Sequence, residues 1–421
     1  MSVIPAPAAL GPGDALGEEG YRLEVRDGRA DIEAETDAGR FYAEQTLQRL
    51  AADGPPAGAS IADRPRFAWR GFMLDVARHF FGVEDVCRLI DHLAAYKLNV
   101  LHLHLSDDQG WRLAIDAWPR LADHGGSGAV GGGPGGFYSH DDLRAIVRYA
   151  AERFVTVVPE IDTPGHVQAA IAAYPELGGP GSSSNLYTGV EVGFSSLDVH
   201  AALAYRFLND VFRELAALTS GPFLHIGGDE AHSTSHADYI AFMERVQPVV
   251  AAHGKRLAGW EEIASAPLGD GAVVQYWNTT SARGHDLARA AVARGAKLVM
   301  SPADRVYLDI KYDADTPLGQ DWAGHVEVRD SYDWDPAALV DGVAEDAILG
   351  VEAALWTETL ATLRDVETML LPRLCAVAEV AWSPQERRKW GDFRARVARE
   401  GARWDAAGVA YHRSPQVDWA G

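Results

Sequence analysis

The sequence predicts an α/β protein, a (β/α)8 barrel preceded by a small, shortened α/β domain. Three observations support this prediction. From about residue 66, strand-like apolar runs alternate with amphipathic helical patterns, and eight such units follow one another. Residues 1–62 have a different pattern, and polar side chains gather directly after the strand-like runs. A doubly wound open sheet is the alternative, although that fold does not ordinarily need eight strands.

The chain divides into two parts on this basis. Residues 1–62 are assigned to the shortened N-terminal domain and its linker, and residues 63–421 to the barrel with a C-terminal helix. The stretch 54–59, rich in Gly and Pro, has the composition of a linker. Two strands and one helix bury too little apolar surface to be stable alone. We therefore expect the small domain to pack on the barrel.

The N-terminal domain is expected to contain a β-hairpin. Residues 21–25 and 30–34 alternate apolar and polar side chains, and Asp27-Gly28 between them favours a tight turn. Asp37 is the expected N-cap of the helix that follows. The predicted order is therefore strand, strand, helix.

The barrel strands are predicted from short apolar runs bounded by polar residues. The helices between them are predicted from apolar residues that recur every three or four positions, as in 83–93 and 143–150. The eight predicted strands are residues 72–76, 100–105, 155–161, 223–226, 257–260, 273–276, 297–300 and 350–355.

Composition and charge narrow the classes of function. The chain has 421 residues, 47% hydrophobic and 23% charged, as in an ordinary globular protein. A formal net charge of -22 argues against nucleic acid or an anionic membrane as a partner, because both attract clustered Lys and Arg. A small neutral carbohydrate fits this charge better. No apolar stretch is long enough to span a membrane.

Cellular location and assembly are predicted only in outline. The first residues, Met-Ser-Val-Ile-Pro-Ala-Pro, contain neither a basic region nor a long apolar run. This predicts a cytoplasmic protein, or a secreted one where a leader precedes this chain. A monomer or a homodimer is expected, and the sequence implies no cofactor and no metal ion.

Carboxylates and aromatic rings follow the predicted strands at their carboxyl ends. In a (β/α)8 barrel these ends meet at one mouth, where catalytic side chains lie. Carboxylic acids that transfer protons, walled by rings, are typical of a site that cleaves sugars. The residues concerned are Asp75, Arg78, His79, Ser106, Asp107, Asp108, Glu160, Asp162, His166, His225, Asp229, Glu230, Trp260, Glu261, Glu262, Tyr276, Trp277, Trp356 and Glu358.

The adjacent pair Asp229-Glu230 is the strongest candidate for catalysis. Neighbouring side chains on a strand point in opposite directions. Gly227-Gly228 in front of the pair permits backbone conformations that other residues resist, so both carboxylates can face the mouth. Two crowded carboxylates favour protonation of one of them, as a general acid requires. The alternative is that the pair merely caps the following helix.

Two other catalytic classes receive less support. His102 and His104 alternate on one strand face and could bind a metal, but no third ligand follows at a recognised spacing, which favours structural histidines. The Gly-x-Ser-x-Gly motif of serine hydrolases is absent. Arg78 is open to two interpretations, a fork of hydrogen bonds to sugar hydroxyls or an ion pair with a carboxylate such as Glu358.

The motifs at the strand ends resemble those of one known family. They are Trp69-Arg-Gly71, Asp75-Val-Ala-Arg-His-Phe80, His102-Leu-His-Leu-Ser-Asp-Asp-Gln-Gly-Trp111, Pro159-Glu-Ile-Asp-Thr-Pro-Gly-His166, His225-Ile-Gly-Gly-Asp-Glu230, Gln275-Tyr-Trp277, Tyr307-Leu-Asp309 and Leu355-Trp-Thr-Glu358. Together they resemble glycoside hydrolase family 20, and most closely its bacterial β-N-acetylhexosaminidases. The resemblance covers nearly the whole chain from residue 62, and the His-x-Gly-Gly-Asp-Glu motif is highly specific.

The resemblance implies an exo-acting enzyme that removes terminal β-linked GlcNAc, and GalNAc, with retention of configuration. Glu230 would protonate the glycosidic oxygen while the substrate's own 2-acetamido carbonyl attacks the anomeric carbon, a recognised exception among retaining enzymes. Asp229 would hold the acetamido N–H, and Tyr307 would donate to the acetamido oxygen.

The resemblance also implies residues that bind and support. Asp107, Asp162 and His166 match residues that support the acid. The implied substrate-binding residues are Arg78, Asp309 and Glu358 for the hydroxyls of the terminal sugar, Trp260, Trp277 and Trp356 for the aromatic walls, and Trp322 at the rim.

One departure from the family and two alternatives remain. The family's N-terminal domain is usually well over twice as long as residues 1–62, so stability or assembly is more exposed to change than activity. A non-catalytic sugar-binding barrel is one alternative, but Asp229, Glu230 and Tyr307 are all retained. A metal-dependent hydrolase on the same fold is the other, and activity that survives a chelator would exclude it.

Overall fold

The N-terminal part of the molecule is a three-stranded antiparallel sheet with one helix against it. The structure is a computed structural model that describes residues 4–8, 10–11, 13–52 and 58–419. The elements of this part are β1 (Tyr21–Arg26), β2 (Arg29–Ala34), α1 (Asp37–Ala52) and β3 (Ala59–Asp63). The sheet order is β2-β1-β3. Of the predicted linker, residues 54–57 lie outside the described part of the chain.

The predicted hairpin is confirmed, and its turn residues explain it. Asp27 and Gly28 both have a positive φ, 49° and 75°, which is the conformation that a type I′ turn requires. The sequence does not predict strand β3, because the run Ala-Ser-Ile-Ala-Asp contains Ile61 as its single large apolar residue. Pairing with β1 stabilises this weak strand in the fold.

The start of helix α1 differs from the prediction by one residue. The Gly39 N–H donates to Thr36 Oγ1 at 3.2 Å, and Asp37 is the first helical residue. Thr36 is therefore the N-cap, and the Asp37 carboxylate lies in the first turn, where the helix dipole favours a negative charge.

The second part of the molecule is a closed barrel of eight parallel strands, as predicted. A two-stranded hairpin, β6 (Ser106–Asp107) and β7 (Gly110–Trp111), follows the second barrel strand. The predicted barrel strands differ from the observed ones by three residues or fewer at either end. The barrel strands are β4 (Trp69–Asp75), β5 (Val100–His104), β8 (Thr156–Glu160), β9 (Phe223–His225), β10 (Arg256–Trp260), β11 (Val273–Tyr276), β12 (Lys297–Met300) and β13 (Ile348–Leu355).

Helices surround the barrel and bury their apolar faces against its strands. In α2, for example, the predicted apolar positions Leu89, Ile90 and Leu93 are fully buried. None of the helices in the described ranges is long and apolar enough to cross a membrane. The helices are α2 (Val83–Ala95), α3 (Arg120–Asp123), α4 (His140–Ala151), α5 (Gln168–Ala173), α6 (Ala202–Leu218), α7 (His236–Ala252), α8 (Ala282–Ala293), α9 (Ala303–Val306), α10 (Leu363–Leu370), α11 (Arg373–Trp382) and α12 (Trp390–Ala407).

The barrel interior changes from apolar to polar along its axis. Near the amino ends of the strands, Trp69, Val100 and Phe223 belong to a buried apolar cluster. Nearer the carboxyl ends, the inward side chains of the barrel include carboxylates and imidazoles such as His104 and Glu160, both fully buried. Buried polar groups need hydrogen-bond partners, so this layer is held by specific contacts rather than by packing alone.

The small domain packs on the barrel near the amino ends of the strands, as expected. Arg70, at the start of β4, donates through both terminal nitrogens to the Glu19 carboxylate, each at 2.8 Å. Lys97 Nζ, also buried, lies 3.1 Å from Asp63 Oδ2. Asp63 in turn accepts from Trp382 Nε1 of α11 at 2.9 Å. These contacts join the domain to the end of the barrel that lies away from the carboxyl ends of the strands.

Candidate active site

A cavity of about 440 Å³ lies at the carboxyl ends of the barrel strands. The segments after β4, β8, β9, β11, β12 and β13 contribute side chains to it. Three of the predicted residues, Asp107, Asp162 and Trp260, are buried outside its lining. The ten predicted residues that line the cavity are Arg78, His166, Asp229, Glu230, Trp277, Tyr307, Asp309, Trp322, Trp356 and Glu358.

The backbone after β9 turns both members of the carboxylate pair into the cavity. Gly227, Gly228 and Glu230 have positive φ values of 67°, 97° and 45°. A Cβ on Gly227 would lie 1.8 Å from Asp162 Oδ1, so only glycine fits there. As a result the side chains of Asp229 and Glu230 both line the cavity, although they are neighbours in sequence.

The pair does not cap the helix that follows. Helix α7 begins at His236, and its N-cap is Ser235, whose hydroxyl accepts from the Asp238 N–H at 3.2 Å. The alternative that Asp229-Glu230 is only a helix cap is therefore wrong.

Burial and neighbouring charges decide which groups around Asp229 hold protons. Burial raises the pKa of Asp229, His166 opposes the rise and Glu230 adds to it. Burial and Asp229 together hold the pKa of Asp162 well above its usual range. Burial alone would lower the pKa of His166, but the surrounding carboxylates, Asp107 first, raise it well above its usual range. A cationic imidazole therefore lies beside the pair, with Nε2 3.7 Å from Asp229 Oδ2 and 3.5 Å from Glu230 Oε2.

Arg78 is held by carboxylates below the cavity. Its Nη2 lies 2.8 Å from Asp107 Oδ2 and its Nη1 3.4 Å from Asp75 Oδ2. Its guanidinium carbon lies 4.9 Å from the centre of the Trp356 ring. Within the described residues Arg78 has no ion pair with Glu358 shorter than 4 Å, so of the two interpretations left open for Arg78, its ion-pair partners are Asp107 and Asp75 and not Glu358.

Aromatic rings form the walls on the other side of the cavity. Trp277 stacks on Tyr307 with the ring planes at 15° and the centroids 6.4 Å apart. Trp322 stands edge-on to both rings, with centroid distances of 6.0 Å. Trp260 does not reach the cavity, because it is buried behind Trp356 with the two centroids 5.8 Å apart. Rings in this arrangement offer both faces and edges to an apolar group or a sugar ring.

The inner end of the cavity is lined by acids that have spare acceptor atoms. Burial, and then Glu358, raises the pKa of Asp309 well above its usual range, and burial raises the pKa of Glu358 while Arg78 opposes it. Asp309 Oδ2, Glu358 Oε2 and Asp229 Oδ1 are buried and have no hydrogen-bond partner among the described residues. Since buried polar atoms are nearly always partnered, these atoms are arranged for a polar, hydroxyl-bearing ligand.

Comparison with known proteins shows the family to which the barrel and the small domain belong. Residues 67–385 match the family "Glycosyl hydrolase family 20, catalytic domain". The chain belongs to glycosyl hydrolase family 20. Residues 2–64 match a second description of the same family, "Glycosyl hydrolase family 20, domain 2", which covers the small α/β domain.

Characterised relatives and solved structures of the family cover most of the chain. A β-N-acetylhexosaminidase of Cellulomonas fimi is 49% identical over 96% of this chain and 82% of its own length. A β-hexosaminidase of Porphyromonas gingivalis is 35% identical over 94% of this chain, which spans 55% of that protein. The structure of the Streptomyces plicatus N-acetyl-β-hexosaminidase with Thio-NAglucal is 53% identical, with a TM-score of 0.94 over 98% of this chain and 85% of that one. This family 20 chain is therefore a glycoside hydrolase with β-N-acetylhexosaminidase activity.

Five residues of the family 20 cavity are not predicted from the sequence. Val190 and Val192 are 54% and 39% exposed and come from the long segment between α5 and α6, where no periodic pattern marks them. Asn278 and Thr280 directly follow the predicted Trp277, and this proximity is a signal that could have found them. Gln320 is the fifth.

Glu262 is a further residue with a role that the sequence did not suggest. Its Oε2 accepts from Trp277 Nε1 at 3.2 Å. Burial, and then Asp229, raises the pKa of Glu262 well above its usual range. Glu262 thus fixes the orientation of the Trp277 ring at the cavity wall.

Proposed function

We propose that this family 20 enzyme removes terminal β-linked GlcNAc and GalNAc residues by an exo-acting, retaining, substrate-assisted reaction. The observation that carries the proposal is the meeting of Asp229, Glu230 and Tyr307 in one cavity of about 440 Å³. The volume suits a single sugar ring with its acetamido group. A neutral carbohydrate also agrees with the net charge of -22.

In the first step the substrate supplies its own nucleophile. Glu230 gives its proton to the glycosidic oxygen, and the bond from that oxygen to the anomeric carbon breaks with its electron pair leaving on the oxygen. The acetamido carbonyl oxygen forms the new bond to the anomeric carbon, which yields a bicyclic oxazolinium ion. Asp229 accepts from the acetamido N–H, and Tyr307 donates to the acetamido oxygen, so the charge develops against fixed partners.

In the second step water opens the oxazolinium ion. The Glu230 carboxylate takes a proton from the water, the water oxygen bonds to the anomeric carbon, and the electron pair of the breaking bond returns to the acetamido group. Two inversions at one carbon give net retention. His166 lies within 3.5 Å of Glu230 and contacts Asp107, so these residues, with Asp162 behind Asp229, are suited to support the change of Glu230 from acid to base.

The proposed exo action depends on the closed inner end of the cavity. Arg78, Asp309 and Glu358 close that end, and we assign them to the hydroxyls at C3, C4 and C6 of the terminal sugar. With these hydroxyls enclosed, the chain of an oligosaccharide can leave only through the mouth, where Trp322 is 46% exposed. Trp277 and Trp356 would enclose the sugar and its N-acetyl methyl, and Trp260 would support them from behind.

The proposal is tested by proton NMR of a chito-oligosaccharide during hydrolysis. We expect monomeric GlcNAc, released first as the β-anomer, because a retaining exo-enzyme leaves that configuration before mutarotation. A chromogenic β-GalNAc glycoside is hydrolysed in a parallel assay. Release of the α-anomer first, or of disaccharide units from the end of the chain, would refute the retaining and exo assignments.

A further inference from the structure

A continuous row of alternating carboxylates and imidazoles runs through the barrel interior toward Glu230. It begins at Glu352 on β13, which accepts from Trp69 Nε1 at 2.7 Å. His102 lies between Glu352 and Glu160, with Nδ1 2.8 Å from the first carboxylate and Nε2 3.0 Å from the second. His104 then lies between Glu160 and the next carboxylate along the row.

The upper end of this row reaches the site. His104 Nδ1 is 2.6 Å from Glu160 Oε2, and its Nε2 is 2.9 Å from Asp107 Oδ2. Asp107 Oδ1 is 3.1 Å from His166 Nδ1, and His166 Nε2 is 3.5 Å from Glu230 Oε2. His104 is therefore separated from Glu230 by one carboxylate and one imidazole.

The strand register explains why these groups meet. His102 and His104 are two residues apart on β5, so both side chains point to the same face of the strand, into the barrel. On the neighbouring strand β8, Glu160 is level with His104. Asp107 follows β5 in the short hairpin of β6 and β7, where it is level with Gly110.

Charge along the row is balanced by pairing. Burial alone would lower the pKa of His104, but Glu160 and Asp107 on its two sides raise it well above its usual range, so both ring nitrogens donate. Burial alone would raise the pKa of Asp107, but Arg78 and then His166 hold it well below its usual range. Imidazole rings on both sides thus hold the Glu160 and Asp107 carboxylates in fixed orientations.

We propose that His104 is a positioning residue of the reaction: it fixes the Asp107 carboxylate, and through it keeps His166 directed at Glu230. His104 does not line the cavity and is fully buried, so it cannot touch a substrate. Arg78 alone would remain on Asp107 Oδ2 if His104 were removed, and the carboxylate could turn toward it. The inference rests on the proposed role of Glu230 as the acid.

A purely structural role for His104 must be distinguished from this one. Its ring also stands edge-on to Trp356, with centroids 5.0 Å apart, so its loss could disturb the cavity wall and weaken substrate binding. The charged or titratable groups that face it are Glu160, Asp107 and, further off, Asp162. Disturbance of the wall would change kcat/KM for all substrates by the same factor, whereas failure of the acid would change kcat/KM according to the leaving group.

His102 is a matched control for His104. Both histidines are fully buried on the same face of β5, and both lie between two carboxylates. Only His104 contacts Asp107. An asparagine at either position keeps a polar atom near the former Nδ1 and loses the contact made by Nε2.

The test compares kcat/KM, which reports cleavage of the glycosidic bond, on two β-GlcNAc glycosides, phenyl and 3,4-dinitrophenyl, for the wild type, His104→Asn, His102→Asn and Glu230→Gln. Dinitrophenolate leaves with little help from an acid, and phenolate does not. We expect His104→Asn to lower kcat/KM on the phenyl glycoside by about tenfold, a part of the roughly 10²–10⁴ that acid catalysis contributes, with a much smaller loss on the dinitrophenyl glycoside. His102→Asn should change both rates by the same factor.

A longer side chain at position 104 adds a rescue measurement. His104→Gln places its amide nitrogen near the former Nε2. We therefore expect His104→Gln to recover part of the phenyl-glycoside activity that His104→Asn loses. Thermal unfolding of each variant sets a common assay temperature below all midpoints. If His104→Asn does not fold, His104→Gln and His102→Gln make the same comparison. We then expect His104→Gln to lose more of the phenyl reaction than of the dinitrophenyl reaction, by a smaller factor than His104→Asn, and His102→Gln to lose both equally.

Two results would overturn the inference, and they differ. If the position 104 and position 102 variants show the same ratio of the two rates while Glu230→Gln loses mainly the phenyl reaction, His104 is structural only and the proposed function stands. If Glu230→Gln itself shows no dependence on the leaving group, Glu230 is not the acid, and both the proposed function and this inference fail.

Discussion

Single residues in the cavity are prepared for their roles by burial and by neighbouring charge. Tyr307 is an example, since it is 3% exposed and its phenol faces the same space as Asp229. Burial, then Asp229 and Asp309, raises the pKa of Tyr307 well above its usual range. The phenol therefore keeps its proton and is available as a hydrogen-bond donor that holds the acetamido oxygen of the substrate in position for its attack on the anomeric carbon.

Removing this donor should slow the chemistry more than it weakens binding. We expect Tyr307→Phe to lower kcat by roughly 10²-fold, the cost of losing the correct placement of a reacting group. Steady-state kinetics on a chromogenic β-GlcNAc glycoside measure the loss. Tyr276→Phe is the control, because the Tyr276 hydroxyl is buried outside the cavity and has no hydrogen-bond partner among the described residues. A loss below twofold for Tyr307→Phe, or an equal loss for the control, would contradict the assigned role.

At the level of elements, the segment after β9 does most to assemble the site. Strand β9 is only three residues long, and the chain leaves it through Gly227-Gly228 in left-handed conformations. The Gly228 N–H donates to Asp162 Oδ1 at 3.0 Å, which ties this segment to the segment after β8. The two carboxylates therefore depend on glycine at a position where any side chain would collide with Asp162.

Gly227→Ala should separate this geometric effect from ordinary backbone strain. We expect a loss of activity of at least tenfold, because the new Cβ must displace Asp162 and with it Asp229. Gly254→Ala is the matched control: its φ of 72° carries the same left-handed cost of about 1–2 kcal/mol, but no atom lies within 4 Å of the new Cβ. Activity and thermal unfolding are measured for both variants. Equal activities in the two would show that the close approach at Gly227 is unimportant.

On the scale of the whole molecule, the small domain supports the barrel from the end opposite the cavity. The fully buried Arg70 carries its charge into the interface and pairs with Glu19, whose side chain is 21% exposed. Glu19 has a lowered pKa because Arg70 and its hydrogen bonds outweigh the effect of burial. The pair lies at the start of β4, whereas the cavity lies beyond the end of this strand. Breaking the pair should therefore lower stability without changing activity.

Glu19→Ala should reduce the free energy of unfolding by roughly 3 kcal/mol, the lower part of the cost of leaving a buried charge without its partner. We expect a loss at the lower end of this range because Arg70 retains hydrogen bonds to the Lys97 and Phe67 carbonyls. Below the unfolding transition kcat should be unchanged. Glu33→Ala, which breaks the exposed pair with Arg22, should cost less than about 1 kcal/mol by the same denaturant titration. If Glu19→Ala and Glu33→Ala lowered the free energy of unfolding by similar amounts, the buried Arg70–Glu19 pair would not be what holds the small domain on the barrel.

Much of this architecture can be predicted from the sequence because the relevant signals are local. Apolar runs locate all eight barrel strands, and residues at their ends fall in the cavity because the barrel gathers these ends. Strand β3 is missed since its residues have little preference for a strand without β1 beside it. Val190 and Val192 are missed because they lie in a segment without periodicity.

Side-chain contacts between different strands and loops could not be predicted from the sequence. The sequence marks Glu160 and His104 as polar residues of neighbouring strands, but their 2.6 Å contact depends on the register of β5 and β8. In the same way, Arg78 is predicted to bind sugar or Glu358, and only the fold places it on Asp107 and Asp75. Trp260 is predicted as a wall of the cavity, and packing against Trp356 places it one layer deeper.

In the proposed reaction the acetamido group of the substrate is the nucleophile, and Glu230 is the acid and then the base. The most direct measurement is hydrolysis of a chromogenic β-GlcNAc glycoside by the wild type and by Glu230→Gln, with and without NAG-thiazoline, a mimic of the oxazolinium ion. We expect strong competitive inhibition of the wild type by the thiazoline and a large loss of kcat in the variant. An active wild type that the thiazoline does not inhibit, or a Glu230→Gln variant as active as the wild type, would contradict it.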